Sequence, residues 1–132
     1  MAPKQFSDEY KARCNEVWEV VKQAAHMVAN TLGVGFLEKV YENALTIELR
    51  KRGLKVIQQY PLQVHYDGQA VGEYVVDLFV DDCVLVELKV AKAIDNIHEA
   101  IALNYLKASS LWLIGLINYG KPRIDAKRYI DG

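Results

Sequence analysis

Three charged residues lie inside two strongly apolar segments near the middle of the chain. The segments are residues 75–80 and 84–90, and they contain Asp77, Glu87 and Lys89. Burying an unpaired charge is costly, so charges in such segments indicate either a functional site or a paired structural cluster. Two carboxylates beside an ammonium group could bind a hard cation such as Mg²⁺, or could form a structural salt bridge.

The register of these segments decides whether the charges meet. Both are rich in β-branched residues and only residues 81–83 separate them, which is typical of a β-hairpin. A two-residue loop would pair Asp77 with Val86 and place Glu87 among apolar side chains, since a shift of one residue moves every side chain to the other face. A three-residue loop would pair Asp77 with Glu87 and bring the charges together. Because it separates charged from apolar faces, we expect the three-residue loop.

This register predicts one face that is purely apolar and one that carries the charges. The apolar face would contain Val76, Leu78, Val80, Val84, Val86, Leu88 and Val90, and the charged face also contains Val75, Phe79 and Leu85. A cation site would then lie on the charged face.

Length and composition are typical of one soluble globular domain. The chain has 132 residues, of which 52% are hydrophobic and 25% charged, and a chain of this length can bury a proper core. We expect a single domain over residues 1–132, with tails at 1–9 and 121–132. Apolar runs of about 18 residues are absent and the N-terminal residues are polar, so neither a membrane span nor a secretory signal is expected.

The cysteine content bears on the cellular location of the protein, and the net charge bears on its binding partners. Two cysteines are too few for a disulfide framework, which favours a reducing, cytoplasmic location. The net charge of −1 excludes bulk electrostatic coating of nucleic acid, so any phosphate contact would be local. Two basic groups could make such contacts, or could be a solvated helix end and a solvated tail. They are Arg50, Lys51, Arg52 and Lys55, and Lys121, Arg123, Lys127 and Arg128.

The hydrophobic pattern predicts an α+β fold of the three-layer type, with a mixed central sheet flanked by helices. Apolar spacing predicts helices over residues 8–31 and 36–52, and Asp95 would cap a third helix that reaches residue 108. Strand segments are expected at 54–59 and 62–66 around Pro61, at 70–80, 84–90 and 111–118, followed by a polar tail. The predicted order is α-α-β-β-β-β-α-β.

The motifs resemble a known nuclease family. Asp77 followed by Glu87 and Lys89 on consecutive strands resembles the PD-(D/E)XK nuclease superfamily, and Gly35, Glu38 and Tyr41 resemble the signature of its GxxExxY branch. The resemblance continues in order through residues 48–54, 86–89, 98–100, 104–107 and 115–120, and it spans roughly residues 17–130.

The resemblance implies hydrolysis of phosphodiester bonds with Mg²⁺ or Mn²⁺. It assigns Asp77, Glu87 and the backbone carbonyl of Leu88 to the metal, with Glu38 as a further direct or water-mediated ligand. Lys89 would position or deprotonate the attacking water, and its place between carboxylates favours positioning. Spacing alone also allows Glu38 to be a first-turn acid stabilised by the helix dipole.

One position departs from the family pattern. Where related sequences carry Gln, four residues before Tyr105, this chain has Ile101, which puts efficient cleavage in doubt. His98, Tyr105 and Tyr41 remain as residues that would contact substrate or support the site, and a plain structural role is equally open for His98.

The sequence therefore favours a metal-dependent nuclease with no membrane partner, whose substrate is DNA or, as the less favoured alternative, RNA. The alternatives are a weak or inactive nuclease-fold module that binds nucleic acid or a partner protein, and an oligomerising protein whose acidic pocket holds a structural metal. A domain this small offers little surface to grip a duplex, which favours a homodimer.

Overall fold

The computed structural model describes residues 5–131. Along the chain, its helices and strands follow one another in the order α-α-β-β-β-α-β-β. The helices are α1 (Asp8–Leu32), α2 (Glu38–Lys51) and α3 (Asn96–Ala108); the strands are β1 (Val56–Tyr66), β2 (Gln69–Val80), β3 (Val84–Lys89), β4 (Leu113–Asn118) and β5 (Asp125–Ile130). None of the helices in this part of the chain is both long and apolar enough to cross a membrane.

The five strands form one mixed sheet in the order β1-β2-β3-β4-β5. Only β3 and β4 are parallel, and the other neighbours are antiparallel. Parallel neighbours need a long crossover, and α3 supplies it. The mixed sheet with helices confirms the expected α+β fold class.

Helices α1 and α2 cover one face of the sheet. Their buried side chains pack with Leu78, Val80, Val86 and Leu88 of the central strands. The packing is tight at Gly115 on β4, where an added β-carbon would lie 2.0 Å from the Trp18 ring. Glycine is required here because the indole packs directly on the sheet backbone.

Helix α3 covers the opposite face through a smaller core. Its residues Ala102 and Leu106 pack with Phe79, Leu85 and Val76. The predicted apolar face was therefore wrong at Val76, which packs with the α3 layer instead of with its expected neighbours. The regular pairing of β1 with β2 skips one position directly after this residue, so the alternation of faces changes there.

Two further sequence expectations were wrong in detail. The segments on either side of Pro61 form the single strand β1, because this strand lies at the edge of the sheet, where a residue without an N–H is tolerated. Part of the expected tail at 121–132 is strand β5, an edge strand whose exposed Lys127 and Arg128 hide its pattern.

The N-terminal tail expected over residues 1–9 is shorter than predicted. Helix α1 begins at Asp8, and Ser7 caps it by accepting a hydrogen bond from the backbone N–H of Tyr10 at 3.0 Å. Residues 1–4 lie outside the described part of the chain.

Candidate active site on strands β2 and β3

The β2–β3 hairpin has the register expected from the charge pattern. Cα partners are Leu78 with Val86 and Val80 with Val84, so the loop contains three residues. Extending this register places Asp77 directly opposite Glu87. The prediction that both carboxylates lie together on the pair of strands is confirmed.

Each of these carboxylates accepts a backbone N–H from the opposite strand. The N–H of Asp77 donates to Glu87 Oε1 at 2.9 Å, and the N–H of Leu88 donates to Asp77 Oδ2 at 2.8 Å. Side-chain oxygens therefore take the place of the carbonyls of a regular ladder. Both acids are held between the strands, where the regular pairing stops.

Lys89 lies beside this acidic pair. Its Nζ is 3.8 Å from Glu87 Oε2, and its side chain is 28% exposed whereas that of Glu87 is 7% exposed. The backbone N–H of Tyr119 donates to the Lys89 carbonyl at 2.8 Å, which fixes the strand at this point. The ammonium group thus lies at the solvent side of the carboxylates.

The two acids oppose each other's ionisation. Burial raises the pKa of Glu87 to about 8, and the charge of Asp77 adds to this rise. Burial also raises the pKa of Asp77, although the hydrogen bond from the Leu88 N–H acts in the opposite direction. A pair of buried carboxylates with raised pKa values is the arrangement that a bound cation would relieve.

Helix α2 brings two more carboxylates close enough to Asp77 for the charges to interact. Glu38 is its first residue and remains exposed; burial and then the charge of Asp77 raise its pKa. Glu42 lies one turn further on and is only 3% exposed. Its carboxylate also raises the pKa of Asp77, so the two helical acids and the strand acids share one electrostatic environment.

The residues fit a hard divalent cation by donor type. Asp77, Glu87 and Glu38 supply oxygen atoms, which Mg²⁺ and Mn²⁺ prefer. Over residues 5–131, however, no three acidic, His or Cys side chains stand close enough together to enclose an ion as they are placed. The bonds from backbone N–H groups and from Lys89 occupy carboxylate oxygens that a cation would have to recruit.

Comparison with known proteins decides the family. A family model described as the PD-(D/E)XK nuclease superfamily matches residues 15–129. The chain belongs to this superfamily. The search of curated proteins returned no match, and the search of solved structures returned none either.

Membership has general consequences for fold and ligands. The superfamily has a nuclease-like fold, binds nucleic acid in general and generally uses divalent metals. The strand acids and the lysine described above lie within the matched residues, as does the whole of helix α2.

The other predicted site residues of this superfamily member lie on two elements, α3 and α2. His98 belongs to the capping box of α3: Asp95 caps the helix, as expected, and its backbone N–H donates to His98 Nδ1 at 3.3 Å. Tyr105 is partly buried, and burial followed by the charges of Glu87 and Asp77 raises its pKa. Ile101, one turn before it, is exposed.

Tyr41 supports the loop before α2 and is fully buried. Its hydroxyl donates to the Gly33 carbonyl at 2.6 Å and accepts the N–H of Phe36 at 3.3 Å. Its ring stacks on Tyr119 with the centroids 4.5 Å apart. Through these contacts Tyr41 fixes the chain directly before Glu38.

Sequence reasoning missed four polar residues around the site, Glu42, Gln58, Gln59 and Asn118. Glu42 accepts hydrogen bonds from Lys39 Nζ at 2.9 Å and from the side-chain amides of Gln58 and Gln59 at 2.7 Å each. Asn118 is fully buried at the end of β4. The spacing of four between Glu38 and Glu42 could have indicated a shared helix face, and an asparagine ending an apolar strand could have indicated a buried bonding role.

Proposed function

We propose that this protein is a Mg²⁺- or Mn²⁺-dependent nuclease that hydrolyses phosphodiester bonds, with DNA as the favoured substrate over RNA. The observation that supports this most is the placement of the Asp77 and Glu87 carboxylates, opposite each other on adjacent strands and beside Lys89. A structural salt bridge explains it less well, because the pKa values of both acids are raised although Lys89 lies beside Glu87.

In this proposal Asp77, Glu87 and the Leu88 carbonyl hold the ion, and Glu38 is a further direct or water-mediated ligand. When bound, the ion lowers the pKa of water and stabilises charge that develops on the phosphoryl group. The Lys89 ammonium, already beside Glu87, orients the attacking water and offsets negative charge in the transition state. His98 and Tyr105 lie on the same helix and would contact substrate or support the site.

We further propose that the chain belongs to the GxxExxY branch of the superfamily. Support comes from the roles of the signature residues in this fold. Gly35 has a φ of 105°, a conformation that favours glycine. Tyr41 binds the backbone on both sides of that glycine, and Glu38 begins the helix that follows. The signature thus shapes the turn that delivers the helical acid.

We propose a path for the nucleic acid from basic side chains that form no ion pair. The basic groups expected from the sequence are largely engaged: Arg52 approaches Glu48, Lys55 pairs with Asp82, and Lys121 pairs with Asp125. Lys107, by contrast, forms no ion pair with any residue of the described range. It lines a groove of about 650 Å³ between the end of α3 and the β1–β2 hairpin.

This groove is connected to the site through two aromatic rings. Tyr74 lines the groove and lies 5.5 Å, centroid to centroid, from Tyr105, whose pKa responds to the site carboxylates. The groove residues also include His65 and Asn104 but no carboxylate. Phosphate binding by Lys107 and stacking on Tyr74 would suit nucleic acid here.

The alternative function is a weak or inactive nuclease-fold module that binds nucleic acid or a partner protein. Ile101 favours it, because the resemblance places a glutamine at that exposed position. We also propose that the chain acts as a single domain, that it is cytoplasmic and that it forms a homodimer. The free, buried Cys14 and Cys83 support a reducing location.

A cleavage assay with metal controls tests the proposed function. Plasmid and single-stranded DNA are incubated with wild type, Asp77→Ala, Glu87→Ala and Lys89→Ala, in Mn²⁺ or in EDTA. We expect cleavage by wild type with Mn²⁺ and none by the three site variants or in EDTA. The control Glu19→Ala, which removes a surface acid of α1, should cut like wild type. Cleavage that persists in the three site variants would contradict the proposal.

Calorimetric titration separates the enzyme from the alternatives. Mn²⁺ should bind wild type and Glu19→Ala equally and Asp77→Ala far more weakly. Equal binding by all three proteins would exclude a metal site at Asp77. Metal binding without cleavage by wild type would favour the inactive module.

A further inference from the structure

The outer part of the β1–β2 hairpin extends beyond the rest of the sheet. The regular pairing of β2 with β3 ends at Leu78, whereas its pairing with β1 continues to Gln69. Residues 60–66 and 69–76 therefore form a two-stranded arm. Two strands alone are marginally stable in water, and this arm is held by α3, because Leu62 packs with Ala102 and Leu106.

A kink in β1 turns the arm toward α3. Gln59 has a φ of 55°, in the left-handed region that non-glycine residues rarely adopt. In a regular strand, Gln58 and Tyr60 would point to the same face. Here Gln58 Nε2 donates to Glu42 of α2 at 2.7 Å, whereas Tyr60 packs with the core beneath α3. The kink thus directs the side chains that follow it toward α3 and forms one wall of the groove.

The groove between the arm and α3 has the size of a small-ligand site. Its volume is about 650 Å³, and a second depression of about 450 Å³ shares Gln63 and Ser110 with it and continues to Tyr60. Ligand sites typically span about 300–1,000 Å³, so there is room for roughly one or two nucleotides of a single strand. A base pair with both of its backbones would not fit.

One wall of the groove offers an aromatic ring for stacking. Tyr74 lines the groove and is 50% exposed. Tyr105 supports it, with the ring centroids 5.5 Å apart and the planes at 51°. A supported ring with an open face suits any nucleobase, because every base has a π-face. In a duplex the neighbouring bases cover these faces, so only an unpaired base is free to stack here.

The polar groups of the groove also suit an unpaired base. Gln63 and Asn104 line it and are exposed, and neither side-chain amide is hydrogen-bonded within residues 5–131. A carboxamide both donates and accepts, which allows it to bind the base edge that pairing occupies in a duplex. Among the lining residues in this range, Lys107 is the one lysine or arginine and none is acidic. Because duplex binding relies on many phosphate contacts, a single lysine fits a short single strand better.

The groove lies close to the acidic pair. Tyr74 precedes Asp77 by three residues on β2, which is roughly 10 Å along a strand. We propose that the groove binds an unpaired nucleobase near the scissile phosphate, so that the protein acts on single-stranded nucleic acid or unpaired ends in preference to intact duplex. The inference rests on the proposed function for cleavage, whereas binding in the groove is measurable without a metal.

Fluorescence anisotropy in EDTA tests the groove. The probes are a short labelled oligonucleotide and the same strand annealed to its complement. Wild type should bind the single strand at least ~10-fold more tightly than the duplex, and Tyr74→Leu should weaken single-strand binding about 5- to 100-fold. Tyr74→Phe, which keeps the ring, should bind like wild type. Equal affinity for the two probes, or binding of neither, would overturn the inference.

Two further variants separate the groove from a general effect on the arm. Tyr66→Leu is the matched control, because Tyr66 lies near the tip of the same hairpin, is 77% exposed and does not line the groove; its affinity should stay within about twofold of wild type. Asn104→Ala places a better helix former on an exposed helix face, so it should fold, and it should weaken single-strand binding several-fold. Wild-type affinity in both Tyr74→Leu and Asn104→Ala would exclude the groove. If the urea midpoint shows that Tyr74→Leu is unstable, Asn104→Ala decides alone.

Cleavage of the same oligonucleotides in Mn²⁺ distinguishes this inference from the proposed function. We expect the single strand to be cut faster than the duplex, and Tyr74→Leu to raise KM for the single strand. Equal cleavage of both probes would leave the proposed function standing and overturn the preference for unpaired strands. Binding of the single strand through Tyr74 without any cleavage would contradict the proposed function and leave the groove as a single-strand site.

Discussion

The side chain of Asn118 holds the backbone of Ala91 through two hydrogen bonds. The Ala91 N–H donates to Asn118 Oδ1 at 3.0 Å, and Asn118 Nδ2 donates to the Ala91 carbonyl at 2.9 Å. Gly120 completes the contact, because an added β-carbon there would lie 2.2 Å from the Ala91 carbonyl oxygen. The segment that follows Lys89 is therefore fixed to the end of β4, and the lysine is fixed with it.

Replacing Asn118 should damage both stability and activity. Asn118→Ala leaves the Ala91 N–H and carbonyl without their partner, which should cost about 2 to 4 kcal/mol in the free energy of unfolding. Because Lys89 is then free to shift, we expect the rate of Mn²⁺-dependent cleavage to fall at least ~10-fold. Urea denaturation and single-turnover cleavage measure the two effects.

Tyr119→Phe is the control for this prediction. It removes the hydrogen bond from the Tyr119 hydroxyl to the Ala25 carbonyl at 3.3 Å, which should cost about 1 kcal/mol. The backbone bond to Lys89 is kept, so cleavage should be nearly normal. A similar loss of activity in both variants would show that stability alone explains the effect.

The pKa of Glu87 predicts that the metal-free protein loses stability at alkaline pH. Its folded-state pKa is about 8, against an ordinary value of 4.5. The folded state therefore holds this proton more tightly, and the resulting stability is complete below about pH 4.5 and is lost as the pH rises to about 8. In EDTA, the free energy of unfolding should fall by a few kcal/mol across this range.

The neutral variant Glu87→Gln removes this titration. Its stability in EDTA should change much less between these pH values, and at pH 8 it should exceed that of wild type. Glu19→Gln, on the exposed surface of α1, should follow the wild-type curve. A Glu87→Gln curve parallel to that of wild type would mean that another group carries the pH dependence.

The contact of Trp18 with Gly115 predicts a large effect from one methyl group. Gly115→Ala would force the indole away from the sheet and should destabilise the protein by about 3 kcal/mol. Gly72→Ala is the matched control: it lies in a strand with no atom within 4 Å of an added β-carbon. Its free energy of unfolding should change by no more than about 0.5 kcal/mol.

A second substitution separates this clash from a general effect on β4. Trp18→Leu removes the ring, so Gly115→Ala should cost much less in that background than in wild type. Equal costs in the two backgrounds, measured by urea denaturation, would show that the indole contact is not the cause.

Both cysteine thiols should be unreactive in the native protein. Cys14 and Cys83 are free and buried, and burial raises the pKa of Cys83 to about 12 and also raises that of Cys14. Since the thiolate is the reactive form, a disulfide reagent such as Ellman's should react only on unfolding. Rapid reaction with two thiols in native buffer would contradict this packing of α1 against the β2–β3 loop.

Lys107 should contribute to nucleic-acid affinity and not to chemistry. Lys107→Ala should weaken DNA binding several-fold and reduce the slope of log K against log salt concentration by about 0.7 to 0.9. The control is Lys55→Ala, which removes a lysine paired with Asp82 near the β2–β3 turn. Fluorescence anisotropy at several salt concentrations measures both, and equal slopes for all three proteins would exclude the groove as a binding path.

Charge segregation was enough to predict the centre of this site from the sequence. A one-residue slip would have buried Glu87 among apolar side chains, so only one register was physically reasonable, and the structure has it. The cap of α3 at Asp95 was also predictable, because it depends on local hydrogen bonding.

Features that depend on distant contacts were not predictable. Glu42 lies on a helix face that looks solvated in the sequence, and its burial depends on amides from β1. The left-handed conformation of Gln59 has no local signal, because glutamine does not favour it. Strand β5 is stabilised by pairing with β4, and its own residues are too polar to indicate a strand.

The two outer strands also bear on how copies of this chain can associate. Free strand edges invite pairing with other chains, and proteins block them with proline, distortion or charge. On β1, Pro61 offers no N–H and the kink at Gln59 interrupts the row of donors and acceptors; on β5, Lys127 and Arg128 are exposed. Pairing of two sheets edge to edge is therefore disfavoured. A symmetric dimer would have to assemble through the helices or through the β1–β2 hairpin.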